Sequence, residues 1–294
     1  MVASDAEIGV EVNVKEEAAK SSRKGLITLS VVGLLCVGGL AGGLAGGLAN
    51  RGDDDDEEHV HMPLAGTWLS NYGCYLTVTD ELWYDVCSWG TTVKRIETYE
   101  PSFAVLQMPA EDTYNPRKYL KTEFHSLPGG GWGYCDSIYG LDHASQALLA
   151  DTSELYDAAN ATHGCGGRFS HSLLTAYELP IRGTWATNFG ATLTISNGAW
   201  ESVHATWGTT IYRIEAYGDG WVLMQNSAED LYYPSQYSKV EWHTSGSGFG
   251  YCISVYDGSD SVSALLEDTS AIYDAANATN GCNGFGHTFT SPAQ

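Results

Sequence analysis

The sequence predicts a mainly β protein in which two tandem antiparallel β-barrel or sandwich domains, each with a C-terminal helix, follow one N-terminal transmembrane helix. Three observations predict this class: an internal repeat, short runs of alternating apolar and polar residues, and one uncharged apolar segment. We expect a cytoplasmic tail at 1–24, a transmembrane signal anchor at 25–48, an acidic spacer at 49–62, and β domains at 63–178 and 179–294.

The apolar segment runs from Gly25 to Leu48 and contains no charged residue. As a helix it would span about 36 Å, enough to cross a hydrocarbon core of about 30 Å with some tilt. Basic residues precede it and acidic residues follow it, which predicts a single-pass type II protein at the cell surface or in an endomembrane lumen. The alternative is a cleaved signal peptide and a secreted product.

Glycines in this segment recur every fourth residue on two adjacent ridges: Gly38, Gly42, Gly46 and Gly39, Gly43, Gly47. That spacing lets membrane helices approach closely, so self-association through the lipid bilayer is one expectation. The alternative is a low-complexity segment that crosses the bilayer without associating. The tripeptide Arg51-Gly52-Asp53 follows, and we interpret it as a chance match beside a self-repelling acidic spacer.

The formal charge of −22, from 14 basic and 36 acidic residues, excludes nucleic acid as a natural partner, because phosphate backbones would be repelled. Nearly all of this charge lies after the apolar segment. The same region is rich in Trp, Tyr, Thr and Gly, a composition typical of β structure.

The repeat begins at Pro63 and again at Pro180 and continues almost without gaps. Its clearest matches are Gly66-Thr67-Trp68 with Gly183-Thr184-Trp185, Trp89 to Thr92 with Trp207 to Thr210, and Gly133-Tyr134-Cys135 with Gly250-Tyr251-Cys252. Alternating runs such as 191–196, 210–217, 221–225 and 238–244 predict about six or more antiparallel strands per copy. A helical pattern follows, at Ala147, Leu148, Leu155 and Tyr156 and at Ala264, Leu265, Ile272 and Tyr273.

The repeated Gly-x-Trp at the first strand of each copy resembles the opening of calycin barrels, the lipocalin and avidin group. In that group the Trp closes one end of the barrel. The resemblance implies a pocket for a small, mostly apolar ligand at the open end.

Six of the seven cysteines lie beyond the apolar segment. Cys135 and Cys165 recur as Cys252 and Cys282, whereas Ala191 and His204 replace Cys74 and Cys87. An even count that is gained or lost in pairs predicts disulfides joining Cys74 to Cys87, Cys135 to Cys165, and Cys252 to Cys282. A zinc site is the alternative, but paired C-x-x-C knuckles are missing, so we predict no metal and no cofactor.

Asn160 and Asn277 begin the two N-glycosylation sequons, at equivalent positions. We expect both to be exposed and glycosylated in a eukaryotic host.

Candidate chemistry concentrates on one strand of each copy. Lys121, Glu123 and His125 return as Lys239, Glu241 and His243, and their spacing of two places them on one strand face, with Phe124 or Trp242 on the opposite face toward the core. Glu123, His125, Glu241 and His243 are therefore weak catalytic candidates. A solvated face with a cross-strand charge ladder is the plainer interpretation.

Aromatic residues beside glycines and in loops are typical of sugar-stacking surfaces. The candidate ligand-binding residues are Tyr114, Trp132, Tyr232, Tyr233 and Phe249. The loop acids Glu111-Asp112 and Glu229-Asp230 are interpreted as solvated rather than as calcium ligands.

These features favour a membrane-anchored extracellular tandem protein that binds a carbohydrate or small apolar ligand. The alternatives are a surface hydrolase using the His and acid strand face, and a structural or adhesion coat protein. No nucleophile elbow, phosphate loop or metalloprotease motif supports an enzyme.

Overall fold

The computed structural model describes residues 61–293. The predicted tail, membrane segment, Arg-Gly-Asp tripeptide and nearly all of the acidic spacer lie outside the described residues. Within residues 61–293, no helix is long and apolar enough to cross a membrane.

The first copy folds into a closed barrel of antiparallel strands in chain order. Its elements are β1 (Gly66–Ser70), β2 (Tyr75–Val78), β3 (Leu82–Cys87), β4 (Gly90–Glu100), β5 (Phe103–Gln107), β6 (Tyr119–Ser126), β7 (Trp132–Leu141), α1 (Ala144–Leu149) and β8 (Ser172–Ala176). Each strand pairs with the next, and β8 pairs with β1 to close the barrel. Closure leaves no sheet edge exposed.

The second copy repeats this barrel. Its elements are β9 (Gly183–Thr187), β10 (Ala191–Ile195), β11 (Ala199–His204), β12 (Gly208–Gly218), β13 (Trp221–Gln225), β14 (Tyr237–Ser245), β15 (Gly248–Gly258), α2 (Ser261–Leu266) and β16 (Thr288–Pro292). Here β16 pairs with β9.

The mainly β prediction is confirmed, and the barrel rather than the sandwich is correct. The predicted helix is present in each copy, at Ala147 and Leu148 and at Ala264 and Leu265, but it is shorter than predicted and is not the last element of its domain. Each helix spans only six residues and is followed by the strand that closes the barrel.

Tyr156 and Tyr273, predicted to be helical, lie in the long loop between helix and final strand. The disulfide and a hydrogen bond from each tyrosine to a histidine of the sheet, His125 or His243, attach this loop to the barrel.

Alternation along the strands fills each barrel with apolar side chains. In the first barrel Trp83, Leu106 and Phe124 are fully buried in this interior. Met62 and Leu64, which precede β1, are buried in the same core. The interior is therefore packed solid at the end of the barrel where the chain enters.

Trp68 packs against that core, and its indole nitrogen donates to the Leu64 carbonyl at 2.9 Å. Trp185 repeats this bond with the Ile181 carbonyl, also at 2.9 Å. Gly66 has a φ of +140°, a backbone conformation that L side chains rarely adopt. The Gly-x-Trp motif thus combines a glycine-dependent backbone with a tryptophan that covers the core.

All three predicted disulfides are confirmed: Cys74–Cys87, Cys135–Cys165 and Cys252–Cys282. The two equivalent bridges join β7 or β15 to the loop that follows the helix. They fix these loops against the outside of each barrel.

The two barrels belong to one compact unit and share a small apolar core. Tyr84 and Val93, on the outer face of β3 and β4, contribute to it from the first barrel. Leu265 of α2 and Leu223 of β13 contribute from the second. The Tyr84 hydroxyl donates to Ser261 Oγ at 2.8 Å in a buried hydrogen bond.

Candidate ligand-binding chambers

Each barrel opens at the end opposite its packed core. In the first barrel a cavity of about 800 Å³ enters between the β1–β2, β3–β4, β5–β6 and β7–β8 connections. Exposed aromatic residues surround this entrance: Tyr72, Trp89, Tyr114 and Tyr139. A concave site with aromatic walls is the usual form of a small-molecule site.

The inner wall of this cavity is ionic. Lys94 is buried, and its ammonium lies 2.9 Å from Asp85 Oδ2 and 3.6 Å from Asp136 Oδ2. Thr122 Oγ1 donates to Asp136 Oδ1 at 2.6 Å. The Lys94 ammonium also lies 5.8 Å from the centre of the Trp83 ring.

Burial would lower the pKa of Lys94, but the charges of Asp136 and Asp85 outweigh it and hold that pKa above its ordinary value. Lys94 is therefore always charged and is a poor nucleophile. Burial raises the pKa of the neighbouring Tyr134 phenol, which stays neutral. With two carboxylates and one ammonium, this wall has a net charge of −1.

The second barrel has an equivalent but smaller cavity of about 450 Å³. Its lining residues occupy the same places in the repeat, including Trp207 for Trp89 and Tyr251 for Tyr134. The ionic residues are replaced by neutral ones: Ser202 for Asp85, Tyr212 for Lys94 and Ile253 for Asp136. One fold therefore holds two chambers of different chemistry.

The entrances also differ. Cys74 and Cys87 line the first cavity, so their disulfide crosslinks β2 to β3 at its rim. In the second barrel the rim residue His204 stacks on Trp207, with ring centres 4.0 Å apart. A covalent link in one rim is replaced by an aromatic stack in the other.

The predicted ligand-binding aromatics fall in three places. Tyr114 lies at the entrance of the first cavity. Trp132 packs edge-on against Phe124 at the closed end, and the buried Phe249 packs edge-on against Trp185 at the equivalent place. Trp132 and Phe249 lie at the start of β7 and β15, where their side chains point into the barrel. At these two positions the aromatic residue beside a glycine packs in the core.

Tyr232 and Tyr233 lie in the β13–β14 loop of the second barrel. Tyr232 borders a surface groove outside the barrel, while Tyr233 packs against Tyr256.

The acidic residues of these loops bond to the backbone. Asp230 Oδ1 accepts hydrogen bonds from the backbone N–H groups of Tyr232 and Tyr233, at 2.9 and 2.8 Å. Asp112 makes the same bonds in the first copy, to Tyr114 and Asn115. These loop acids therefore stabilise a turn.

The predicted catalytic candidates lie on the outer face of β6 and β14, under the disulfide-bonded loop. His125 Nδ1 is 2.6 Å from the Tyr156 hydroxyl, and Thr152 Oγ1 donates to Glu123 Oε1 at 2.7 Å. The ring of His171, which is fully buried, lies 5.1 Å from that of His125. Phe124 points into the core, as the strand spacing predicts.

The second copy repeats this cluster. His243 Nδ1 is 3.0 Å from the Tyr273 hydroxyl, and Thr269 Oγ1 donates to Glu241 Oε1 at 2.9 Å.

His243 also borders a hollow of about 530 Å³ near the closed end of the barrel, which neither Glu241 nor Glu229 lines. Burial, then repulsion from a neighbouring histidine, holds the pKa of His125 and His243 below the ordinary value. These hydrogen bonds attach the loop to the barrel, and the hydrolase hypothesis stays a prediction.

The predicted glycosylation sites lie on the surface of the protein. The side chains of Asn160 and Asn277 are exposed on the loops that follow the helices, and their glycosylation stays a prediction. No group of three or more His, Cys, Asp or Glu residues in the described part of the chain could hold a metal ion.

The ionic residues of the first chamber were missed by sequence reasoning. Asp85 lies two residues after the buried Trp83, and Asp136 lies two residues after Tyr134. Alternation alone would therefore have placed both carboxylates inside a barrel. The comparison of the two copies would then have shown that neither carboxylate is repeated.

In comparisons with known proteins, the chain matches no protein-family model, no curated protein and no solved structure.

Proposed function

We propose that the protein is a membrane-anchored, extracellular binding protein with two unlike chambers, the first for a carbohydrate unit and the second for a smaller, neutral apolar ligand. The observation that carries this proposal is the ionic wall of the first cavity, formed by Lys94, Asp85 and Asp136, opposite neutral residues in the second. Three disulfides fit an oxidising, non-cytoplasmic compartment.

The wall chemistry favours a neutral, hydroxyl-bearing ligand. Sugar hydroxyls can donate to the carboxylates and accept from the ammonium, while the exposed rings of Trp89 and Tyr114 offer faces for stacking. An anion would meet a net negative wall. A cationic ligand would have to displace Lys94, which already lies between Asp85 and Asp136.

The second chamber suits a different ligand. Its volume of about 450 Å³ is bounded by Phe189, Trp207, Tyr212 and Tyr251, with hydroxyl groups from Ser202 and Thr210. Rings with a few hydroxyl groups bind small neutral aromatic compounds through burial of apolar surface. Two chambers on one chain would bind two ligands independently.

The test is saturation-transfer NMR on the full-length chain in a mild non-ionic detergent, with a panel of methyl glycosides. We expect at least one glycoside to bind, and Asp136→Asn to weaken it about tenfold, because a hydrogen bond to a charged group is worth about 1.5–3 kcal/mol. Ser202→Ala, at the equivalent place to Asp85, is the matched control and should leave binding unchanged. Binding of alkylammonium ions but of no glycoside would refute the carbohydrate assignment.

A further inference from the structure

The contact between the two barrels joins unlike surfaces of the repeat. The first barrel contributes a strand face, formed by Tyr84, Val86 and Val93 on the outside of β3 and β4. The second contributes a helix face, centred on Leu265 and its neighbours in α2. Since the barrels are copies, each molecule carries a second strand face on the second barrel and a second helix face on the first.

The strand face of the second barrel borders an open groove of about 1180 Å³. Exposed aromatic and aliphatic side chains line it: Trp207, Tyr232, Ile211 (54 % exposed) and Leu231 (89 % exposed). Ile211 is the equivalent of Val93 in the repeat. At the corresponding place on the first barrel, Val262 and Leu266 of α2 border the cavity entrance, so there the space beside the strand face is filled by a helix.

The helix face of the first barrel is the natural occupant of such a groove. Leu148 and Leu149 of α1 are the equivalents of Leu265 and Leu266. Leu149 is 83 % exposed and Leu148 is 42 % exposed, whereas Leu266 is 50 % exposed and Leu265 is buried in the contact with the first barrel. Two adjacent exposed leucines on a six-residue helix are costly in water unless another surface covers them.

The polar contact within the molecule is not repeated on the second pair of surfaces. The Tyr84 hydroxyl donates to Ser261 at the start of α2. At the corresponding places, Glu201 replaces Tyr84 and Ala144 replaces Ser261, so this hydrogen bond has no counterpart. The second pair of surfaces therefore corresponds to the first through its apolar residues.

We propose that molecules associate head to tail, with α1 of one molecule bound in the groove of the next. The contact repeats between molecules the one that joins the barrels within each molecule. The contact is heterologous, so a pair of bound molecules keeps one free helix face and one free groove, and association continues into chains or closes into a ring.

The test is sedimentation velocity of the full-length chain, with Cys36 replaced by serine, in a mild non-ionic detergent. Leu149→Asp and Ile211→Asp should each abolish the association. Mixing the two variants should restore dimers but no larger species, because one intact helix face then meets one intact groove. Phe285→Asp, which removes an exposed ring outside both surfaces, is the matched control and should associate like the parent.

Association through the glycine ridges at 25–48 gives a different result, since neither substitution would weaken it. Such a result, or a parent chain that is monomeric at high concentration, would overturn the proposal. Cysteine crosslinking adds a direct readout. A mixture of Leu149→Cys and Ile211→Cys chains should form disulfide-linked dimers, and either chain alone should not. Crosslinks that form equally well within a single variant would also overturn it.

Discussion

The ammonium of Lys94 lies 2.9 Å from the carboxylate of Asp85 inside the first barrel, and at the equivalent positions of the second barrel are Tyr212 and Ser202. The two barrels therefore share their strand order and their closed end, while the residues that line their interiors differ. The inward positions near each entrance therefore set the chemistry of the two interiors.

Neutralising Lys94 should destabilise the first barrel. In Lys94→Met the partly buried Asp85 and Asp136 lose their buried counter-ion, and removing one partner of a buried pair costs about 3 kcal/mol. Denaturant unfolding measures this loss. The matched control, Tyr212→Phe in the second barrel, should change stability by less than about 1 kcal/mol. Equal stability of Lys94→Met and the parent would mean that the ion pairs do not stabilise the fold.

The three pairings of the disulfides were predictable because the repeat separates the shared bridges from the extra one. The ionic wall was not recognised, although alternation with Trp83 and Tyr134 places Asp85 and Asp136 on the inner face. That both carboxylates meet Lys94 depends on the closure of the barrel, which brings β3, β4 and β7 around one interior. The helix was predicted too long, since Leu155 and Tyr156 fit a helical period but lie in a loop held by Cys165 and His171.

Removing the rim disulfide should weaken the first barrel. Cys74 and Cys87 are 13 residues apart, and closing such a loop stabilises a fold by about 3 kcal/mol in the chain-entropy model. Cys74→Ala/Cys87→Ala should lower the free energy of unfolding by that amount and speed hydrogen exchange in β2 and β3. Exchange in the matching strands β10 and β11, which have no bridge, serves as the internal reference. Unchanged exchange in β2 and β3 would contradict a structural role for the bridge at the rim.

The loops beneath the disulfides should loosen in acid. Burial and the facing His171 hold the pKa of His125 below its ordinary value, so the unfolded chain takes up the proton first. Stability is complete above about pH 6.5 and falls as the pH drops through the lower folded pKa. Tyr156, whose pKa is raised, and Glu123 also face this site.

Hydrogen exchange of residues 151–171 at pH 7.5 and 5.5 measures this effect. We expect lower protection factors, in which the intrinsic pH dependence of amide exchange is divided out, at pH 5.5 than at pH 7.5, and the same behaviour in the second copy, where His287 faces His243. The variant His125→Gln/His243→Gln should lose most of the difference. Equal protection of the parent at both pH values would contradict the prediction.

The tight turn after the glycosylation sequon should not tolerate a methyl group. A Cβ at Gly164 would lie 2.1 Å from the Asp157 carbonyl oxygen and 2.4 Å from that of Asn160. Gly164→Ala should therefore destabilise the loop by about 1–3 kcal/mol through overpacking. Gly198→Ala is the matched control, because nothing lies within 4 Å of the added methyl group. Similar unfolding midpoints for both variants would show that the loop has room to shift.

The central claim, that the two chambers select different ligands, is tested most directly by ¹⁹F NMR of the full-length chain labelled with 5-fluorotryptophan. Trp89 and Trp207 stand at equivalent entrances, and Trp89→Phe and Trp207→Phe assign their resonances. Titration with the glycoside selected by saturation transfer should shift the Trp89 resonance and leave that of Trp207 in place. Indole should do the reverse. Equal shifts at both tryptophans, or no shift at either, would contradict the account.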